Sequence, residues 1–308
     1  MTITDLTVVV CCNRKDAYLA KICIASIRYY YPDITIELVK DPGNGAFNTS
    51  DLESCFNVQV VDFGIPKFGW SGAKFHYLYQ KKAGKKILML DADIVFIGPF
   101  LERLLPQIEY NDYVVSIEEN DISNKEWVRN TYFDLDAIQA AYPLYQYPGY
   151  FFNAGQIFLT LGAIDKGLIA EFFNPDQYPF WQKSKLFPLV DQSVYNYLLP
   201  TMAAEQKLKL GKEKFMIWAG SNDFLNITLQ DVIDKKIEQG LVHWAGCLRF
   251  PYVSQMKRGD ILSFFESYFY SHIKMGKFIY IIHKVVPASE YYLKQVYYKL
   301  KPKRWLKG

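Results

Sequence analysis

Residues 87–96 read ILMLDADIVF, an apolar run that meets Asp91-Ala92-Asp93 and is followed by a second apolar run. An apolar run bounded in this way is typical of a buried strand. Two carboxylates at the end of a buried strand are costly unless a partner neutralises them. Because carboxylate oxygens suit Mg²⁺ and Mn²⁺, and such ions also hold substrate phosphates, the stretch predicts a site for a divalent cation and a phosphorylated ligand. A simple loop cap is the alternative that these three residues leave open.

Strands and helices alternate around this stretch, which favours an α/β fold. Apolar runs predict strands over 6–12, 34–39 and 58–63, and helical spacing predicts helices over 17–31 and 71–82. We expect a central sheet that is parallel in its first half. Ligands of such sheets bind at the carboxyl ends of the strands. The polar turn after Cys12 and the pair Asp91 and Asp93 are therefore expected at one edge of the sheet.

The second half of the chain is less regular. Apolar runs predict strands over 113–117, 151–161, 215–218 and 241–244, with a short helix over 191–199. Asn153-Ala154-Gly155 interrupts the second of these strands, as a bulge does. Residues 123–147 are polar and aromatic without a clear period, so we expect a flexible lid or an acceptor-binding loop there.

The composition indicates a folded chain with a distinct C-terminal segment. Half of the 308 residues are hydrophobic and 22% are charged, which argues against global disorder. The net charge of +3 gives no reason to expect a nucleic acid partner. From Tyr268 onward nine Lys or Arg residues stand against Glu290 alone, so this tail carries +8 and the rest of the chain −5. We therefore divide the chain into a main domain, residues 1–260, and a basic aromatic tail, residues 261–308.

The cysteines and the N-terminus indicate the compartment. Five cysteines without a Cys-x-x-Cys pair predict neither a disulfide framework nor a zinc site. No basic segment precedes the first apolar run, so we do not expect a signal peptide. No run reaches the roughly 18 apolar residues of a spanning helix. The sequence thus predicts a cytoplasmic protein.

Three polar residues allow both a structural and a functional interpretation. His243 ends an apolar stretch beside Trp244, where a histidine is more often part of the core than a metal ligand. Together with two aspartates it completes a nitrogen–oxygen set that suits Mn²⁺. Asp191 is either the N-cap of a helix or part of a site, and Lys74 is either on a solvated helix face or part of a site. Glycine loops of the Walker and dinucleotide-binding types are absent after the first strand.

Taken in order, these segments resemble the retaining glycosyltransferases of family 8, which include bacterial lipooligosaccharide galactosyl- and glucosyltransferases and glycogenin. The matching pattern covers roughly residues 8–251. Its parts are the first strand and turn at 8–16, Lys74, Leu90-Asp91-Ala92-Asp93, Phe152-Asn153-Ala154-Gly155, Asp191-Gln192, and His243 followed by Gly246 and Arg249. The resemblance implies a GT-A fold, which is a Rossmann-like mixed central sheet flanked by helices, with residues 1–260 as the catalytic domain.

The resemblance also implies a role for each matching residue. Asp91, Asp93 and His243 would bind Mn²⁺, or Mg²⁺, with the diphosphate of a UDP-hexose donor. Asn153, Asp191 and Gln192 would surround the donor sugar as catalytic residues, with Gln192 near its reacting face. The donor pocket would be lined by Cys11, Cys12, Asn13 and Asp16 around the nucleotide, and by Lys74, Asp91, Ala92, Asp93, Gly246 and Arg249 around the diphosphate. Lys74 and Arg249 stand where the family usually has Arg and Lys, so the charge is kept but the geometry is not.

The sequence therefore predicts a metal-dependent retaining glycosyltransferase that moves a hexose from a UDP-sugar to a glycan or lipid-linked acceptor. Two alternatives stay open: a glycogenin-like primer that glycosylates itself, given the 24 tyrosines, and a degenerate membrane-associated protein that binds nucleotide or glycan without turnover. In the tail, Ser289 is a helix N-cap, and Leu293, Val296, Tyr297 and Leu300 share one face. We expect this helical tail to attach peripherally to an anionic membrane surface, with a helix packed on the domain as the alternative.

Overall fold

The computed structural model describes residues 1–65, 68, 71–118, 122–238, 240–282, 284, 285, 289, 292 and 293. Its strands are β1 Thr7–Asn13, β2 Thr35–Asp41, β3 Val58–Val61, β4 Lys86–Asp91, β5 Ile94–Phe96, β6 Tyr113–Glu118, β7 Phe151–Thr160, β8 Leu210–Glu213, β9 Met216–Trp218 and β10 Leu241–His243. Its helices are α1 Ala17–Tyr30, α2 Ser50–Phe56, α3 Gly72–Gln80, α4 Leu101–Tyr110, α5 Lys125–Thr131, α6 Leu135–Ala141, α7 Lys166–Ala170, α8 Asp191–Ala204, α9 Asn222–Leu225, α10 Leu229–Ile233 and α11 Gly259–Ser271.

The central sheet has seven strands among the described residues, in the order β3-β2-β1-β4-β7-β6-β8. The first four strands of this order are parallel, because helices α1, α2 and α3 connect them as crossovers. β7 runs antiparallel to both of its neighbours, and β8 pairs in parallel with β6. The prediction of a mixed sheet that is parallel in its first half is confirmed.

A second, three-stranded sheet in the described part of the chain has the order β5-β10-β9. β10 pairs antiparallel with β5, and the register places His243 opposite Ile94, the residue after Asp93. The backbone N–H of Trp244 also donates to the carbonyl of Asp93 at 3.0 Å. This pairing brings the predicted histidine beside the predicted aspartates across 150 residues of sequence.

Each face of the central sheet is covered by helices, so its strands are buried on both sides. On β1 the side chains of Val8 and Val10 pack into one hydrophobic cluster, and the side chain of Val9 packs into the other. The first cluster is completed by helices α1 and α11, and the second by α3 and α8. Burial on both faces explains the continuous apolar runs from which the strands were predicted.

Residues 123–147 contain two short helices, which the sequence pattern did not predict, and the role of this segment as a lid or acceptor-binding loop stays a prediction. Asn124 caps α5 by accepting from the backbone N–H of Trp127, and Asp134 caps α6 by accepting from the N–H groups of Asp136 and Ala137. Each helix has seven residues, and Val128 and Ile138 are the residues that each buries. One buried residue per helix leaves no period in the sequence.

Helix α8 is five residues longer than the predicted helix over 191–199 and passes through Pro200. Ten of its fourteen residues are buried, so packing compensates for the backbone hydrogen bond that a proline cannot donate. The predicted interruption of the strand over 151–161 corresponds to a register shift between β6 and β7: Val115 pairs with Ile157, but Ile117 pairs with Phe152.

The described part of the tail begins inside the core. Ile261, Leu262, Phe265 and Phe269 of α11 are fully buried, and α11 packs against α1. Residues 276–282 form a further helical segment. The predicted helix after Ser289 lies almost entirely outside the described residues, and the division at residue 260 stays a prediction. None of the helices in the described ranges has the length and apolar character that a bilayer crossing requires.

Candidate active site

The carboxyl ends of β1 and β4 form one wall of a polar cavity of about 200 Å³. Parallel pairing places Cys11 directly beside Asp91, because the two strands share a register. The cavity is lined by Cys11, Cys12, Asn13, Asp16, Asp41, Ser71, Ala73, Lys74, Asp91, Ala92 and Asp93. Burial raises the pKa of Cys11 to about 12, so its thiol is a neutral part of this lining. Eight of the eleven lining residues were predicted from the sequence as donor-pocket residues.

Three lining residues were not foreseen: Asp41, Ser71 and Ala73. Asp41 is the last residue of β2, so the rule that placed Asp91 at a strand end applies to it equally. Ser71 adopts a left-handed conformation, with φ 56°, immediately before α3. Its position follows from the turn that starts the helix, and no pattern in the sequence indicates that turn.

Asp91 and Asp93 line this cavity, and His243 lies beside them. One ligand atom from each falls within 4.8 Å of the other two. His243 Nε2 is 3.1 Å from Asp93 Oδ1, and its ring stacks on Trp218 with a centroid distance of 5.3 Å. His243 is 3% exposed. The pairing of β5 with β10 thus brings His243 into contact with Asp93, although the two residues are far apart in the sequence.

The side chain of Asn153 determines which nitrogen of His243 carries a proton. Asn153 Oδ1 accepts from the backbone N–H of Gly155 at 2.8 Å, which identifies this atom as the oxygen of the amide. The same oxygen lies 2.9 Å from His243 Nδ1, which must therefore donate. In the neutral imidazole, Nε2 then carries a lone pair that faces Asp93 Oδ1. Two acceptors in contact require a cation between them, either a proton or a metal ion.

Lys74 is a buried cation whose ammonium group is surrounded by hydrogen-bond partners. Its Nζ lies 2.8 Å from Asp91 Oδ1 and 2.8 Å from Asp191 Oδ2, and it donates to the carbonyl of Ala154 at 2.9 Å. These contacts use all three N–H groups of the ammonium. Burial acts to lower the pKa of Lys74, but Asp191 and Asp91 outweigh it and hold the pKa well above its ordinary value. Lys74 lines the cavity as expected of a donor-pocket residue, its contact with a diphosphate stays a prediction, and in the structure its ammonium contacts two carboxylates.

Arg249 contacts Asp93, the second aspartate of the pair. Its Nη2 donates to Asp93 Oδ2, its Nη1 donates to the carbonyl of Trp244 at 2.8 Å, and its Nε is 3.7 Å from Asp16 Oδ1. Burial acts to raise the pKa of Asp93, but His243 and Arg249 hold it well below its ordinary value. Gly246, with φ +70°, provides the left-handed turn between His243 and Arg249.

Gln192 and Asn196 contact the backbone of β7 at the register shift. Gln192 Oε1 accepts from the N–H of Ala154 at 2.6 Å, and its Nε2 donates to the carbonyl of Phe152 at 3.0 Å. Asn196, one helical turn later, also contacts the backbone of Phe152. The position of Gln192 near the reacting face of a donor sugar stays a prediction; in the structure both ends of its amide contact the backbone of β7. Asn196 was not foreseen, although its spacing of four residues from Gln192 was a signal.

Comparison with known proteins gives a fold and little sequence similarity. No protein-family model matches the chain, and no curated protein matches its sequence. Among solved structures, the apo structure of the bifunctional glycosyltransferase WbbM has a TM-score of 0.56 at 15% identity, over 87% of this chain and 50% of that one. The chain therefore spans about half the length of WbbM.

The galactosyltransferase LgtC is matched over nearly its whole length. Its complex with donor and acceptor sugar analogues has a TM-score of 0.53 at 15% identity, covering 86% of this chain and 95% of LgtC. An active-site mutant of LgtC gives 0.50 at 14% identity, over 85% and 95% of the two chains. Similarity at this identity is evidence for architecture alone. The chain has the GT-A fold of these glycosyltransferases, as its resemblance to family 8 implied.

Proposed function

We propose that the chain is a metal-dependent retaining glycosyltransferase that moves a hexose from a UDP-sugar to a glycan or lipid-linked acceptor. The observation that carries the proposal is the cluster of Asp91, Asp93 and His243, whose ligand atoms lie within 4.8 Å of one another, with His243 Nε2 3.1 Å from Asp93 Oδ1. In a GT-A fold the carboxyl ends of the strands are where ligands of a doubly wound sheet bind. LgtC, which has the same fold, has been solved with donor and acceptor sugar analogues.

The residues present fit a Mn²⁺ or Mg²⁺ ion. Two carboxylates and one imidazole nitrogen form a nitrogen–oxygen set of the kind that Mn²⁺ accepts. The surrounding charges also favour a cation. The carboxylates of Asp16, Asp91, Asp93 and Asp191 stand against the cations of Lys74 and Arg249, which leaves two negative charges when His243 is neutral. A divalent ion neutralises this excess.

The chain's own residues would then prepare the donor for transfer. The cavity beside Cys11 and Asn13 would take the nucleotide, and Arg249 would face the diphosphate from the opposite side of Asp93. When bound, the metal ion supplies Lewis-acid stabilisation of the charge that develops on the leaving diphosphate. Lys74 holds the carboxylate of Asp191 in place, and Asn153 holds the ring of His243. Asp191 and Gln192 would line the pocket for the sugar.

A donor screen that measures UDP release tests this function. We expect release with at least one UDP-hexose in the presence of Mn²⁺, and loss of release with chelator. Asp93→Asn should lower the rate at least about 100-fold, because it removes a ligand of a Lewis acid worth several kcal/mol. Asp136→Asn, which alters an exposed ion pair with Lys125, is the matched control and should keep full activity. Full activity of Asp93→Asn would refute the metal site.

The same reactions separate the alternative functions. A self-glycosylating primer gains hexose units, which intact-mass measurement of the chain detects. A binding protein retains Mn²⁺-dependent UDP binding and shows neither hydrolysis nor transfer with any donor. No mass gain together with sugar transfer to an added glycan acceptor is the result that the proposed transferase predicts.

We also propose that the C-terminal segment attaches the enzyme to an anionic lipid surface. Phe278, Ile281, Ile282 and Val285 follow an i, i+3, i+4, i+7 spacing, and each is between 46% and 56% exposed. Residues 284 and 285 are helical as well, and this spacing places the four side chains on one helical face. Lys284, in contrast, faces inward and pairs with Glu266. Exposed Lys274 and Lys277 accompany the apolar face, and six more basic residues follow it in the sequence. An apolar face bordered by positive charge suits anionic lipid.

Liposome flotation tests the attachment. We expect the chain to float with vesicles of anionic lipid and to stay at the bottom with neutral vesicles. Replacing Phe278, Ile281 and Ile282 by serine should abolish flotation. The control replaces Leu144 and Leu225 by serine. These two leucines lie outside the segment, are 92% and 55% exposed, and their replacement should leave flotation unchanged. Equal flotation of all variants would refute the assignment to this face.

A further inference from the structure

The segment of β7 at the register shift is held by side chains in place of neighbouring strands. On one side, Val115 and Ile117 of β6 pair with Ile157 and Phe152, so the residues between have no ladder partner on β6. On the other side, the pairing with β4 ends at Gln156. Buried backbone groups without partners are costly, so this segment needs other hydrogen bonds.

Five side chains supply these bonds. The N–H and carbonyl of Ala154 bond to Gln192 and Lys74, and the N–H of Gly155 bonds to Asn153. The carbonyl of Asn153 accepts from the side chain of Gln156 at 3.4 Å. Phe152 pairs with Ile117 of β6 but lies beyond the end of the pairing with β4, and its N–H and carbonyl are both bound by Asn196.

Asn196 acts on Phe152 as a paired strand would. Its Oδ1 accepts from the N–H of Phe152 at 2.9 Å, and its Nδ2 donates to the carbonyl of the same residue at 2.8 Å. The Nδ2 also donates to the carbonyl of Gln192 at 2.8 Å. Asn196 is 1% exposed, so no water competes for these bonds. Because both ends of this buried amide are hydrogen-bonded, the Asn196 side chain is held in one rotamer and holds the backbone of Phe152 in one position.

Phe152 is the residue next to Asn153, so Asn196 fixes the backbone from which the histidine is oriented. Asn153 Oδ1 contacts His243 Nδ1 at 2.9 Å, and His243 Nε2 contacts Asp93. Metal-binding histidines depend on the partner of their second nitrogen for tautomer and ring orientation. Here that partner is Asn153, which lies in the bulge of β7, where pairing with neighbouring strands does not restrain the backbone.

We propose that Asn196 is a positioning residue: it fixes the bulge that holds Asn153, and thereby holds His243 as the Nδ1–H tautomer with Nε2 free for a metal ion. The proposal rests on the proposed function in one respect, the metal ion. The tautomer part does not depend on it. Asn196 contacts neither the carboxylates nor the imidazole, and it acts through two intermediate residues.

Two measurements on the full chain test the proposal. The first is ¹⁵N NMR of the histidine side chains at pH 8 without metal, with the His243 signals assigned by their loss in His243→Gln. We expect a proton on Nδ1 in the unmodified chain and a mixture of tautomers in Asn196→Leu. The second is Mn²⁺ affinity, measured from the EPR signal of free Mn²⁺. We expect Asn196→Leu to weaken it by about 10- to 100-fold, the range for outer partners of metal ligands.

Asn111→Leu is the matched control. Asn111 is also a buried asparagine, at 7% exposure, and its Nδ2 donates to the carbonyl of Gln107. It lies beside Lys86, at the opposite end of β4 from Asp91. This variant should lose stability while its Mn²⁺ affinity and His243 tautomer stay unchanged. If Asn196→Leu does not fold, Asn196→Asp replaces it, since aspartate keeps the acceptor and loses the donor.

The outcomes separate the two proposals. An Nε2–H tautomer in the unmodified chain overturns the positioning role, whatever the variants do. Mn²⁺ affinity within about threefold of the unmodified chain in Asn196→Leu overturns it as well, because outer partners of metal ligands affect affinity more than this. Absence of Mn²⁺ binding in the unmodified chain refutes the metal site and leaves the NMR measurement to decide the tautomer.

Discussion

Gly155 lies so close to His243 that the strand has no room for a side chain there. A Cβ on Gly155 would be 2.4 Å from His243 Cε1 and 2.7 Å from Asn153 Oδ1. Real Cβ atoms essentially never approach other atoms so closely, so either the ring or the strand would have to shift. The glycine of the Asn153-Ala154-Gly155 segment is therefore required by the imidazole that packs against it.

Gly155→Ala should lower Mn²⁺ affinity by at least tenfold, because the added methyl pushes the ring away from Asp93; outer contacts of metal ligands have roughly this effect. Mn²⁺ binding measured by EPR is the readout. Gly220→Ala is the control, since a Cβ there meets only the end of the Lys257 side chain at 3.0 Å. Unchanged affinity in Gly155→Ala would show that His243 does not bind the ion in this position.

Lys74→Met should destabilise the chain strongly. The Lys74 ammonium lies 2.8 Å from both Asp91 and Asp191, and removing it leaves two carboxylates without their common partner. Breaking a buried pair in this way costs about 3–5 kcal/mol. The measurement is the free energy of unfolding in urea at pH 7 with chelator present. In Lys125→Met the lost pair with Asp136 is 76% exposed on both sides, so we expect a change within about 1 kcal/mol. Similar losses of unfolding free energy in both variants would contradict the buried ion pairs of Lys74 with Asp91 and Asp191.

His76 should make the chain less stable in mild acid. It is fully buried between Phe68, Phe173 and Phe180, and neither ring nitrogen has a hydrogen-bond partner within the described residues. Burial lowers the pKa of His76 to about 4, although the charge of Asp176 opposes this. The unfolded chain therefore binds the proton more tightly than the folded chain does. The contribution of His76 to folding stability is fully present above the ordinary pKa of histidine and decreases as the pH falls towards the pKa of His76 in the folded chain.

At pH 5 the loss from His76 should be about 2 kcal/mol relative to pH 7.5, from the difference between pKa values of about 4 and 6.5. Urea unfolding of the unmodified chain and of His76→Phe at both values of pH measures it. The variant should lose about 2 kcal/mol less on acidification, since a phenyl ring binds no proton. An equal loss in both chains would place the acid sensitivity elsewhere.

Mn²⁺ should stabilise the folded chain in the absence of any donor. A ligand that binds only the folded state adds about 2.7 kcal/mol at 100 times its Kd. Thermal unfolding with and without Mn²⁺ measures the shift. Asp93→Asn should show little or none of it, whereas Asp136→Asn, an exposed aspartate outside the site, should shift like the unmodified chain. An equal shift in both variants would mean that the ion binds outside the candidate site.

Several parts of the site could be predicted because they depend on local sequence. Asp91 follows an apolar run, and the polar turn after Cys12 follows another, so both were expected at strand ends. Parallel pairing between β1 and β4 then brings Cys11 beside Asp91 without further conditions. The contacts of Lys74 and Gln192 were not predictable in this way. Each depends on the backbone of Ala154, whose position follows from a register shift.

The sequence by itself determined the alternation of strands and helices, the mixed sheet and the carboxylates at its edge, because apolar periodicity reports burial residue by residue. The tertiary structure decided the rest. His243 meets Asp93 because β10 pairs with β5 across 150 residues, and pairing over that distance depends on the register of a whole sheet. Likewise Asn196 contacts Phe152 because α8 packs against β7 beyond the point where the pairing of β7 with β4 ends. Contacts of this kind come from packing between distant elements, and no local pattern encodes them.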